Sequence, residues 1–173
     1  MIDKIKKTKA LTPFITDKCE ENQICVSMDN SILNTNYAVI KVDQHYNSLR
    51  LKKTPPSVDC LITIKCRDND YIIYLVELKN IKSSAGFKVD NIYNKFRTTI
   101  VDFMGNRFRN IFHNKKYNVK RLHLYFVTDP YGKRSLRKGT TKMDSLLSRK
   151  PFEFQGKLYV LKHKLPNPMI KNC

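Results

Sequence analysis

Residues 57–80 read SVDCLITIKCRDNDYIIYLVELKN. Two apolar, β-branched runs flank the polar knot Arg67-Asp68-Asn69-Asp70, the pattern of two strands joined by a tight hairpin. Asp59, Glu77 and Lys79 put charge into these otherwise apolar runs. A bare charge in a strand that is apolar on both faces is costly, so such groups have partners, a metal or a chemical role. Side chains alternate along a strand, which sets Glu77 and Lys79 on one face. Residues opposed across an antiparallel pair also share a face, with Cβ atoms about 5 Å apart. With the hairpin centred on Asp68, Asp59 lies opposite Glu77, and two carboxylates and an ammonium converge. A regular two-residue Asp68-Asn69 turn sets Asp59 opposite Leu78 instead, facing away. Convergence therefore requires an odd-length loop or a bulge.

Two adjacent carboxylates repel unless a cation sits between them. Hard oxygen ligands with room left for phosphate oxygens suit Mg²⁺ or Mn²⁺. A lysine beside such an ion can hold an attacking water and stabilise charge building on a phosphate. Glu-x-Lys by itself is an ordinary surface pair; its apolar embedding and the partner Asp59 set this one apart. In these residues the chain resembles the PD-(D/E)XK nucleases, the restriction-endonuclease-like superfamily, with Asp59 followed by Glu77-Leu78-Lys79 at the end of the next strand. Val58 stands where the motif's name has proline. The resemblance implies Mg²⁺-dependent phosphodiester hydrolysis, with Mn²⁺ as a substitute. It makes Asp59 and Glu77 metal ligands, the Leu78 carbonyl a further ligand and Lys79 the catalytic lysine. Members of that superfamily also place an extra acidic ligand on a helix ahead of the core strands. Glu20 or Glu21 is the candidate, solvated acids on a short helix being the plainer reading.

The chain has 173 residues, 33 of them Lys or Arg against 15 Asp or Glu, a formal net charge of +18. Length and a 41% hydrophobic content fit one globular domain spanning 1–173. So basic a surface attracts polyanions, nucleic acid first and an anionic membrane second. No apolar run reaches the roughly 20 residues of a membrane-spanning helix, and the first residues lack the apolar core of a secretion signal. The expectation is a cytoplasmic protein with no membrane role. The five cysteines form no Cys-x-x-Cys motif. Cys60 and Cys66 share a strand face with Ile62 and Ile64 and read as buried free thiols.

Residues 1–10 are basic and expected to fray. Thr12-Pro13 starts a helix that reaches about Asn22. Gln23–Met28 and Tyr37–Asp43 read as strands, with Lys41 and Asp43 on one face, near the site or paired with each other. Arg50, Lys52 and Lys53 lie just upstream of Asp59, where a phosphate backbone would pass. His45 reads as a bystander. From Phe87 to Phe112 the apolar residues keep helical spacing, with Tyr93, Phe96 and Phe103 facing the core and Gly105 a possible interruption. On the polar side Lys88, Lys95 and Arg97 line a groove. Arg121–Thr128 is a strand, which closes a βαβ crossover. Residues 129–142 form either a solvated loop or a basic flap, in which Lys133, Arg134, Arg137 and Lys138 clamp phosphates and Tyr131 stacks on a base. A short helix over 143–147, a last strand Lys157–His163 and a loose tail from Pro166 follow.

These readings converge on an α/β fold, a mixed central sheet flanked by helices with the α-β-β-β-α-β order of the restriction-endonuclease-like core. The expected function is a Mg²⁺-dependent endonuclease, DNA ahead of RNA as substrate, working as a homodimer if it cuts both strands. The rivals are an RNA-cleaving member of the same superfamily and a basic protein of the same fold that binds nucleic acid without cutting it.

Overall fold

A computed structural model describes residues 1–80, 87–128 and 136–173, with residues 136–141 described in their backbone alone. The chain enters through a short helix, α1 (Ile2–Lys7), and a single turn of 3₁₀ helix at Thr12–Phe14. Met1, Ile2, Ile5 and Leu11 are buried in the main core, so the first ten residues pack instead of fraying. The helix expected from Thr12 to Asn22 ends after its first turn. The β-branched pair Ile15-Thr16 (β1) leaves it to pair with Ile40 and Val39, and Cys19–Glu21 (β2) pairs with Ile24–Met28 (β3).

Tyr37–Lys41 (β4) is a strand as expected, but Val42–Ser48 turns into a helix, α2. Then comes the hairpin of β5 (Cys60–Arg67) and β6 (Asp70–Lys79). Its partners run in constant register from Cys60↔Val76 to Lys65↔Tyr71 and shift by one residue at Arg67↔Asp70. Cys66 is the extra residue of a β-bulge. Asp68 takes the left-handed turn conformation, with φ 31°, which a short polar side chain tolerates. The bulge is the device that convergence required, since the register it sets puts Asp59 opposite Glu77.

Beyond β6, α3 (Val89–Thr98) continues into a wider, π-helical segment over Thr99–Arg107 and a last turn, α4 (Arg109–Phe112). Phe108 N–H reaches back five residues to the Phe103 carbonyl at 3.0 Å. Gly105 sits inside this widened stretch, where an added Cβ would come 3.2 Å from the Ile100 carbonyl oxygen. β7 (Asn118–Thr128) then runs parallel to β6 and completes the expected crossover. The next element, α5 (Leu136–Leu147), begins seven residues earlier than the helix expected at 143. Half of the stretch read as a basic loop is therefore helical, and residues 129–135 lie outside the described residues. Phe152–Phe154 (β8) and Lys157–Tyr159 (β9) form a small hairpin, and Leu161–Lys164 (β10) pairs parallel with β7. The single last strand is thus two strands in different sheets. The tail is tied as well: β11 (Met169–Ile170) pairs with β3, and Cys173 is disulfide-bonded to Cys66.

The outcome is a mixed α/β protein with a six-stranded mixed sheet in the order β1-β4-β5-β6-β7-β10. One face carries Leu61, Leu75, Leu124 and Phe126 and packs against the helices through Phe96, Phe103 and Phe112. Each such phenylalanine contributes about 1.5–3 kcal/mol by leaving water. The other face, with Ile62, Val76 and Val127, is covered by the three-stranded sheet β11-β3-β2. Among the described residues, helices therefore pack on one side of the sheet. Among the described residues no helix is long and apolar enough to cross a membrane.

Candidate active site

Asp59 immediately precedes β5, and Glu77 lies two residues before the end of β6. Both belong to the helix-facing side of the sheet, and they keep only 4% and 1% of their surface exposed. α3 lays Lys95 across them. Its Nζ donates to Glu77 Oε1 at 2.6 Å and stands 3.7 Å from Asp59 Oδ1. The second Asp59 oxygen, Oδ2, accepts the Leu78 N–H at 2.6 Å. Glu77 Oε2 is buried and finds no hydrogen-bond partner among the described residues. The arrangement is pinned by Thr99, whose hydroxyl donates to the Lys95 carbonyl at 2.9 Å and accepts the Val58 N–H at 3.2 Å. One side chain thus couples the turn of α3 that carries Lys95 to the backbone that leads into Asp59.

Burial pushes the Asp59 carboxyl up to about 7, against the pull of Lys95 and of the Leu78 N–H, and the charges of Glu21 and Asp43 push the same way. Burial pushes Glu77 up to about 8, assisted by the Asp59 charge and opposed by Lys95. Burial works against the Lys95 ammonium, but Glu77 and Asp59 outweigh it and hold its pKa above the ordinary lysine value. Two carboxylates thus share one ammonium, a site short of positive charge.

Lys79 follows on the same face and is half-buried. Across the parallel ladder it pairs with Thr128, whose buried hydroxyl has no partner among the described residues. The upstream acids fall on a strand, β2, not on a helix, and they separate. The Cys19–Cys60 disulfide ties β2 to the residue next to Asp59, and Glu21, two residues from Cys19, acts electrostatically on both Asp59 and Lys95. Glu20 instead lines a separate cavity of about 400 Å³ with Asp17, Cys25 and Tyr37. Its carbonyl accepts the Lys41 ammonium at 2.6 Å, so Lys41 does not pair with Asp43. Among the described residues no group of three or more His, Cys, Asp or Glu side chains is close enough to form a metal cluster.

Of the basic residues, Lys53 and Arg97 meet in an open groove of about 720 Å³ along α3, lined also by Pro56, Asn91 and Asn94. Arg50 and Lys52 are exposed nearby but do not line it. Lys95, read as a groove cation, points its ammonium inward to the carboxylates. Lys133, Arg134 and Tyr131 lie outside the described residues, as do the side chains of Arg137 and Lys138 on the first turn of α5. His45 is a core residue: it packs edge-on against Phe14, Tyr46, Phe103 and Phe108, and burial lowers its pKa.

The sequence reading missed the site role of Lys95 and the Thr128 hydroxyl. Lys95 flanks the buried stripe Ile92–Phe96–Thr99, a position from which a long side chain can turn inward, and that was the available signal. The cysteine reading is corrected: Cys60 and Cys66 are not free thiols but bond to Cys19 and Cys173, leaving Cys25 free. Their partners are 41 and 107 residues away in the chain, beyond the reach of local pattern. Two disulfides fit an oxidising compartment better than the cytoplasm expected from the sequence. Compared with known proteins, the chain matches no family model, no curated protein and no solved structure.

Proposed function

We propose that this protein is a metal-dependent nuclease that hydrolyses phosphodiester bonds in nucleic acid, with DNA the first substrate class to test. The observation that carries the reading is the buried Asp59–Glu77 pair, which faces together across adjacent strands with Glu77 Oε2 left without a partner among the described residues. Oxygen donors of this kind fit Mg²⁺ or Mn²⁺. Asp59, Glu77 and the Leu78 carbonyl would hold the ion, with Glu21 the better placed of the two upstream acids. When bound, such an ion supplies charge stabilisation to the phosphate oxygens of the transition state. Lys79, beside Glu77 on the same face, orients an attacking water and offsets charge on the phosphate. Lys53 and Arg97 hold the backbone along the α3 groove. The run of β4, β5 and β6 in antiparallel order, then α3 and a parallel β7, supports a restriction-endonuclease-like core. Cleavage of both duplex strands would call for a homodimer.

A binder without catalysis is the second reading. It draws on Lys95, which already neutralises part of the pair, and on the lack of a third clustered ligand among the described residues. Incubation with plasmid, linear DNA and RNA in Mg²⁺, Mn²⁺ or EDTA separates the two. The nuclease reading expects cleavage with either ion and none in EDTA, and loss of cleavage with retained binding in Asp59→Asn and Glu77→Gln. No cleavage of any substrate with either ion hands the protein to the binder reading.

A further inference from the structure

We propose that Lys95 is a built-in competitor for the cation site, closing it in the metal-free protein and released toward the α3 groove when a divalent ion binds. The inference rests on the Asp59–Glu77 pair being that site. The geometry makes the two cations exclusive. The Lys95 ammonium sits 2.6 Å from Glu77 Oε1 and 3.7 Å from Asp59 Oδ1, on the oxygens a metal would need. With both carboxyls ionised, as ligation of a cation requires, two carboxylates and one ammonium leave one negative charge. Exchanging the ammonium for a divalent ion leaves none, whereas keeping both forces like charges into contact in a buried site, which is strongly unfavourable.

The exchange has a physical route. Lys95 is not locked on all sides: its side chain keeps 22% of its surface exposed, while those of Asp59 and Glu77 keep 6% and 2%. A lysine stem has four rotatable carbons and a compact, readily hydrated head group. Asn91 and Thr98, its neighbours at helical spacing on α3, line the groove that Lys53 and Arg97 also line. A rotamer change therefore moves the ammonium from the carboxylates to the groove, where a phosphate would receive it. By linkage, a phosphate that captures the released ammonium strengthens cation binding, and the ion strengthens phosphate binding to the same degree. The site is thereby kept weak for the ion until nucleic acid lies in the groove.

Mn²⁺ binding, followed by electron paramagnetic resonance of the free ion, tests this without reference to cleavage. Lys95→Met keeps the stem and removes the charge, and it should bind Mn²⁺ about tenfold more tightly than the wild type, within the usual range of such couplings. Equal or weaker binding in the variant overturns the proposal and leaves the nuclease reading standing. No Mn²⁺ binding to either protein overturns both. Should Lys95→Met fail to fold with its carboxylates uncompensated, the wild type decides. Labelling of lysines by an amine-reactive reagent, read by mass spectrometry, should be slow at Lys95 in EDTA and several-fold faster in saturating Mn²⁺. The exposed Lys115 and Lys116 serve as unchanged references. Labelling of Lys95 that ignores Mn²⁺ overturns the proposal.

Discussion

Asp59, Glu77 and Lys95 occupy a patch where each charge makes sense only through the others. Removing one partner of such a buried set costs more than the set contributes, because the remaining charge is stranded. Lys79 differs, since no ion pair in the described residues depends on it and its effect on the site is electrostatic, through Glu77. Lys79→Met should lower cleavage at least about a hundredfold, the scale of losing one electrostatic stabiliser. Its melting temperature should stay level or rise slightly, and its nucleic-acid affinity should change little. Cleavage rates, calorimetry and a filter-binding assay check the three parts, and undiminished cleavage removes Lys79 from the mechanism. A second residue sets an acid limit on the fold. His123 stacks on Tyr74 with ring centroids 4.7 Å apart, and burial, aided by the charges of Lys162, Arg121 and Lys164, lowers its pKa to about 4. The folded protein thus favours the neutral ring. Its contribution is fully present above the ordinary value of 6.5 and is lost as pH falls from there toward 4. A series of melting curves should show His123→Phe losing less stability than the wild type across that window.

At the scale of elements, the hairpin's single bulge decides which face Asp59 occupies, because a one-residue slip turns every side chain of a strand over. The backbone on either side of Asp59 is fastened twice, at Val58 by Thr99 from the helix side and at Cys60 by the Cys19–Cys60 disulfide from the opposite side of the sheet. Closing a loop across a sequence separation of 41 residues stabilises by about 2–4 kcal/mol in the chain-entropy account. Replacing Cys19 and Cys60 together by serine should lower the melting temperature accordingly. It should also loosen β2, and with it Glu21, from the site. Titration of the denatured, unreduced wild type should find one free thiol, Cys25, against the two bridged pairs. Five titratable thiols in protein purified without reductant would place the molecule in a reducing compartment with both bridges open.

At the scale of the molecule, the charge of +18 predicts association with nucleic acid that weakens steeply with salt, as condensed counterions are released from the phosphates. The groove gives the test an address. Neutralising Lys53 and Arg97 together, as Lys53→Gln and Arg97→Gln, should lower the slope of log affinity against log salt by roughly 1.8 on duplex DNA. An unchanged slope would move the binding face elsewhere on the basic surface. Both residues are exposed, so the substitutions carry little cost to the fold.

Read alone, the sequence determined the central hairpin, the long helix after it and the parallel strand that closes the crossover. All of these rest on local periodicity, which the chain writes at intervals of two or nearly four residues. It also set the condition under which Asp59 faces Glu77, an odd loop or a bulge, but not whether the turn meets it, since Arg67-Asp68-Asn69-Asp70 accommodates a regular two-residue turn as well; the bulge at Cys66 decided it. The tertiary structure alone decided what depends on partners distant in the chain. Ile15 and Thr16 leave their helix for β4, the first residues bury Ile2 and Ile5, and the tail pairs with β3. Cys60 and Cys66 find partners far along the chain. Lys95, amphipathic and on the border of its helix, fits either a groove or a core by pattern. The uncompensated charge of two buried carboxylates, assembled only when α3 packs on the sheet, draws it inward.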